Sequence, residues 1–311
     1  MILVLIAILI VQEEDMGEKA TRKNSKERQP FHWRSSIAYK TKDRIVIRGY
    51  DNNQLTGNID FASMAFLVWT GELPPDNYRL MVNALLVCLS EHAFSPSAAS
   101  CRLVASGGVP LNTAVAGGIL TLGSRHGSAE VPAAMFRAGI ARCEKEGLAI
   151  EECAGRLVTE YRERKAILNG YHHPQHIKDP RVARLFELSV KYKIRGKHQE
   201  LARAIEKCTE QVYGRTLYLN APGALAAIGC DMGLTPEQIK GLMILARTVS
   251  LIGHSIEEME REKGWRASTK SDITQPLDLS LQLPEFYDGP AERSLAEAER
   301  AGLFLPAGRD G

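Results

Sequence analysis

From Phe61 to about residue 263, apolar positions recur at spacings of three and four, the mark of helices that bury one face. The pattern predicts helices over about 61–71, 76–91, 97–106, 111–123, 129–145, 149–163, 180–192, 198–211, 223–232 and 235–263. Two starts are marked by chemistry as well as by period. Asp179-Pro180-Arg181 offers a side-chain cap followed by proline at the first helical position, where its missing N–H costs nothing. Thr235-Pro236-Glu237-Gln238 carries the threonine and glutamine of a reciprocal capping box. Ahead of the helices, residues 37–47 (IAYKTKDRIVI) read as a brief β-hairpin around Ile45, Val46 and Ile47, with Asn52-Asn53 marking a turn. No repeat period or heptad run intervenes, so the prediction is an all-α fold of helices packed on helices, with one short hairpin near the start.

Two segments depart from the usual amphipathic pattern. Residues 105–124 (ASGGVPLNTAVAGGILTLGS) and 221–233 (APGALAAIGCDMG) are apolar yet made mostly of small side chains. Glycine inside a helix costs about 0.5–1 kcal/mol relative to alanine, so these segments predict close helix–helix approach, in a core or across a subunit interface.

Composition narrows the class. The chain has 311 residues, 44% hydrophobic and 24% charged, with a net charge of +2, as in a soluble globular protein with no strong field for nucleic acid or membrane surfaces. Its six cysteines form no C-x-x-C pair and fall mostly in apolar helical patterns, as small buried hydrophobes do; this predicts a reducing, cytoplasmic setting. The opening MILVLIAILIV is shorter than the roughly 20 residues that span a bilayer and lacks a signal peptide's basic lead and cleavage site. Residues 1–32 are therefore read as a mis-started or flexible arm, with Met16 the expected start.

Ionisable residues punctuate the apolar segments at a few places. His126 lies between two helices, where its ring can sit beside helix N-terminal amides that favour a neutral, hydrogen-bond-donating imidazole; taken alone, the position favours a linker histidine that merely caps a helix. His172 and His173 lie in a glycine- and proline-shaped loop, Asn169-Gly170-Tyr171-His172-His173-Pro174. With His176 they lack a carboxylate or cysteine at ligand spacing, so no metal is expected. Arg247 is the lone charge in the run from Gly241 to His254, and His254 follows two turns later on the same face. A buried guanidinium needs an anion, and both a protein carboxylate and a ligand carboxylate satisfy it. His92 ends a helix, a favourable place for a histidine in any protein.

Taken in order, RGYDNNQL, WTGELP (69–74), EHAFSPSAASCRLVASGG (91–108), AGGILTLGSRHGSA (116–129), NGYHHP with DPR (169–181), LNAPGALAAIGCDMG (219–233) and ARTVSLIGHSIEE (246–258) resemble the citrate synthase superfamily, including citryl-CoA lyase and the citryl-CoA-cleaving domain of ATP citrate lyase. The resemblance runs from about Trp33 to Trp265 and looks closer to the short lyase-like members. It implies a two-domain helical homodimer, with a large domain of residues 33–126 plus 227–311 and a small domain of 127–226 hinged over the site. It implies acetyl-CoA or citryl-CoA, with oxaloacetate or citrate-like carboxylates, as substrates, and no bound cofactor. His126 matches the histidine that donates to the thioester enolate, and His173 the one that exchanges a proton with the ketone or hydroxyl oxygen. His92, Arg181 and Arg247 match the carboxylate-holding set. CoA is expected near residues 165–181, where Lys165 and Lys178 can meet its phosphates. Arg293, in a tail that can cross a dimer, is a further candidate. No dinucleotide fingerprint, Walker loop or zinc pattern points elsewhere.

One position departs from the family. Asn220-Ala221-Pro222-Gly223 stands where the family has Asn-Val-Asp-Gly, so Pro222 replaces the base that removes the methyl proton of acetyl-CoA. Three readings follow: His172, where the family commonly has glycine, substitutes as acid or base; the enzyme favours citryl-CoA cleavage; or the protein is a catalytically silent homologue that binds CoA or a tricarboxylate as a sensor or partner subunit. Cleavage is the leading expectation.

Overall fold

A computed structural model of the protein describes residues 33–173, 176–266, 294 and 300–301; the expectations for residues 1–32, for the tail and for Arg293 lie outside them. The fold is mostly helical with a small three-stranded sheet. The strands are β1 (Ala38–Lys40), β2 (Ile45–Ile47) and β3 (Tyr50–Asp51). The helices are α1 (Asn52–Leu55), α2 (Phe61–Thr70), α3 (Asp76–Leu89), α4 (Pro96–Ala105), α5 (Leu111–Ile119), α6 (Glu130–Glu146), α7 (Ile150–Glu163), α8 (Pro180–Lys191), α9 (Lys197–Tyr213), α10 (Ala221–Asp231) and α11 (Pro236–Arg261).

All ten expected helices are present, and both predicted caps form. Asp179 Oδ1 accepts from the Arg181 amide at 3.1 Å. Thr235 Oγ1 accepts from the Gln238 amide, and Gln238 Oε1 from the Thr235 amide. Gln238 Nε2 also donates to the Trp69 carbonyl, fastening the start of α11 to the end of α2.

The expected hairpin is corrected to an antiparallel sheet in the order β1-β2-β3. The second turn is Arg48-Gly49, with φ of 49° and 90°; positive φ at both positions matches the twist of adjoining strands. Asn52-Asn53 does not turn the chain back but opens α1, because Asp51 accepts from the Asn53 amide and caps it. Helix α5 stops at Ile119 rather than 123, as Thr121 turns its amide and hydroxyl to the Gly118 carbonyl.

The chain divides into two compact units, residues 33–88 with 129–242, and 89–128 with the described residues from 243 onward. In unit 1, α9 packs on α7, α6 and α10, and α10 on α6 and α8. Phe136, Leu185, Leu201, Ile205, Leu225 and Ile228 are fully buried there. In unit 2, α4 packs on α5, with Cys101, Val115 and Leu251 as a core cluster. The small-residue segments allow the predicted close approach: a Cβ on Gly118 would meet Leu251 Cδ2 and the Ser97 carbonyl at 2.9 Å. In the same unit, buried Glu258 lies between Arg102 (2.8 Å) and Arg266 (2.7 Å).

All six cysteines are free; Cys101, Cys143, Cys153 and Cys230 are buried. Burial pushes the Cys143 and Cys230 thiols up to about 12, as expected of cysteines that serve as packing. By length and hydropathy alone α11 could cross a membrane, but it contains Arg247 and buries Ile239, Leu242, Met243, Ala246 and Leu251 within the fold.

Candidate active site

The expected site residues fall into two groups, one in each unit. In unit 1 the loop 169–173 runs beside the segment that opens α10. The His172 amide donates to the Tyr218 carbonyl at 2.7 Å, and the Asn220 amide to the Gly170 carbonyl at 2.9 Å. Asn220 Nδ2 donates to the His172 carbonyl at 2.8 Å, so one asparagine holds the loop while its Oδ1 caps α10 through the Gly223 amide. His172 is exposed and has φ of 66°. That left-handed backbone is one glycine adopts without strain and histidine does not. His173 Nδ1 accepts from the His176 amide at 3.1 Å, and the two rings lie 4.6 Å apart.

Pro222 occupies the first turn of α10, where no amide hydrogen is needed for the helix ladder. The position is half-buried and carries no atom that can accept a proton. Proline therefore suits the backbone here whatever it does to the chemistry.

Arg181 is held by Asp179. Its Nε donates to Oδ1 at 2.9 Å and its Nη2 to Oδ2 at 2.8 Å, a two-pronged pair. Oδ2 also accepts from the Ala221 amide at 2.9 Å. One carboxylate, with its side chain fully buried, thus joins the starts of α8 and α10. Burial raises the Asp179 pKa, but its hydrogen bonds and the charge of Arg181 outweigh that and lower it to about 2. The sequence marked Asp179 only as a helix cap. Lys178 lies over the Tyr218 ring at 4.6 Å, and Lys165 is exposed with φ of 52°.

In unit 2 the turn Gly123-Ser124-Arg125-His126 closes through the His126 amide, which donates to the Gly123 carbonyl at 3.2 Å. It brings His126 to the start of α4. The Ser97 amide donates to His126 Nε2 at 3.3 Å, and Ser97 Oγ is 2.9 Å from the same nitrogen. An amide can only donate, so Nε2 presents a lone pair and the ring hydrogen sits on Nδ1. The amide belongs to α4, 29 residues back, not to the helix that follows His126.

Arg247 is buried (5% exposed) on α11. His254, two turns later, faces Glu91 at 3.3 Å and lies against the Phe94 ring. Burial raises the Glu91 pKa, but His254 and Ser250 outweigh it and hold the carboxyl low. His92 follows Glu91 directly and is half-buried. Ser97, Glu91 and Asp179 are the partners that sequence reasoning missed as site residues.

Residues 75–268 match the family described as citrate synthase, C-terminal domain. Among solved structures, citryl-CoA lyase from Hydrogenobacter thermophilus is 31% identical, with a TM-score of 0.72 over 86% of this chain and 99% of that one. ATP citrate lyase from Methanothrix soehngenii, solved with citrate and coenzyme A, shares the fold with a TM-score of 0.66 at 19% identity, covering 88% of this chain and 45% of that one. A probable ATP-citrate synthase of Caenorhabditis elegans is 24% identical over 269 residues, 79% of this chain; the chain spans only 24% of that protein's length.

Proposed function

We propose, on the premise that this chain belongs to the citrate synthase family, that it cleaves a citryl-CoA-type thioester to acetyl-CoA and oxaloacetate. The observation that carries the reading is the setting of His126. With Nε2 accepting from Ser97, the ring hydrogen sits on Nδ1, the donor this reading assigns to the thioester enolate oxygen. His173 takes the proton of the citryl hydroxyl, and that oxygen becomes the ketone as the carbon–carbon bond breaks. The bonding pair leaves as the acetyl-CoA enolate, held by His126. Water protonates its carbon, and the hydroxide left behind recovers the proton from His173. His92, Arg247 and the N–H groups that Asp179 leaves on Arg181 hold the carboxylates.

In the cleavage direction the first step, loss of a hydroxyl proton, needs no carboxylate at position 222. Condensation begins with a methyl proton, for which Pro222 supplies no base. Microscopic reversibility slows both directions of the shared route, so turnover is modest. CoA enters as substrate, near Lys165 and Lys178. A homodimer in the cytoplasm, with a mobile domain of about 127–226 that excludes water, belongs to the same proposal.

The test is acetyl-CoA formation from citryl-CoA, followed by chromatography. The expected result is turnover that falls at least about 10²-fold in His126→Ala. No turnover from citryl-CoA, nor from acetyl-CoA with oxaloacetate, would refute the enzyme reading. Pro222 favours one second reading, a silent homologue that binds CoA or a tricarboxylate. Pro222→Asp separates the two: an active site gains condensation rate by about 10²-fold, whereas a silent one binds citrate and stays inert.

A further inference from the structure

Unit 1 contains an open surface cleft of about 600 Å³, framed by α6, the start of α9 and the end of α10 and built from none of the candidate site residues. That volume falls within the range of small-molecule sites, roughly 300–1,000 Å³. Two carboxylates line it, and both are engaged. Glu144 Oε1 takes the Lys197 ammonium at 2.7 Å. Asp231 accepts from His198 Nδ1 at 2.8 Å, from the amides of Gly196, His198 and Gln199, and from Gln199 Nε2. The N-terminal amides of α9 are thus already satisfied and add nothing to the site.

The arginine of the lining, Arg137, has a different partner. Its exposed side chain donates through Nη1 to the Leu234 carbonyl at 3.1 Å, which positions the guanidinium, and it forms no ion pair with a carboxylate among the described residues. Tyr78, Ile140 and Met232 supply the apolar lining of the cleft, interleaved with the charged groups, and the Tyr78 ring is set edge-on by Phe66 with centroids 6.2 Å apart.

We infer that this cleft is a second binding site, for a small molecule with one carboxylate or phosphate head and a ring or short apolar body. The head pairs with Arg137, whose planar fork suits either oxyanion. His198, tied to Asp231 through Nδ1, has Nε2 left for a second contact. The body lies against the apolar lining at Tyr78.

Titration calorimetry of the whole chain with phenyl phosphate, benzoate and the neutral benzyl alcohol tests this. The expected result is binding of at least one acid and none of the alcohol, the tighter acid identifying the head. Arg137→Gln is expected to weaken binding about tenfold, the loss of one good polar contact. Ala141 lines the cleft and is exposed, so Ala141→Trp fills it without entering the core, is expected to abolish binding, and tests the site independently should loss of Arg137 disturb the fold. His126→Ala, in the other unit, is expected to leave this binding unchanged, which separates the site from the proposed active site. Failure of both acids to bind, equal binding of the alcohol, or binding indifferent to both cleft variants would overturn the inference.

Discussion

Replacing Gly223 with alanine is expected to destabilise unit 1 by about 3 kcal/mol or more, and valine to prevent folding. A Cβ at Gly223 would sit 2.3 Å from the Gly170 carbonyl oxygen and 3.0 Å from its carbon. Leu219 Cδ1, at 2.8 Å, can rotate away, but a backbone carbonyl cannot. That same carbonyl accepts from the Asn220 amide, so moving it breaks the pairing between loop 169–173 and the start of α10. Gly170 has no freedom to yield, because its own Cα side faces Pro132 and Gly223. Gly155 is the control: it lies inside α7, and a methyl group added there would meet nothing within 4 Å, so alanine should stabilise by about 0.5–1 kcal/mol. Urea midpoints for the two variants check this. A wild-type midpoint for Gly223→Ala would mean the two segments are not in contact.

Asp179→Ala is expected to cost about 3–5 kcal/mol, the usual consequence of removing one partner from a buried ion pair. It strands the Arg181 guanidinium and the Ala221 amide together. The pH dependence has a definite sign. The folded-state pKa of about 2 lies below the ordinary 3.8, so the native carboxylate is favoured. Its stabilisation is fully present above about pH 4 and is lost as pH falls through about 2. The shift corresponds to about 2–3 kcal/mol. Denaturation curves between pH 2 and 5 should therefore show acid sensitivity in the parent that Asp179→Asn lacks. If the two proteins lost stability in parallel over that window, Asp179 would not be the responsible group.

Much of this architecture is legible in the sequence. The helices follow from a spacing of three and four, and the start of α11 from Thr235 and Gln238, since both signals act within one or two turns of chain. The third strand is harder to find. Tyr50-Asp51 is too short to show an alternating pattern, and Asn52-Asn53 suits a turn and a helix start equally well. The early end of α5 depends on which carbonyl Thr121 takes, a choice between conformations of similar local energy.

By itself the sequence determined the helical class, the family resemblance, the small-residue segments and the loss of a carboxylate at Pro222, because these are properties of residue type and local spacing. Only the tertiary structure decided that the amide beside His126 comes from Ser97, that Asp179 holds both Arg181 and Ala221, that His254 answers Glu91, and that Arg137 meets a carbonyl rather than a carboxylate. Apart from Arg181, two residues along the chain from Asp179, each of those partners lies on another helix or loop. Which donor meets which acceptor is set by how elements pack, and burial makes each pairing strong by removing water as the alternative partner.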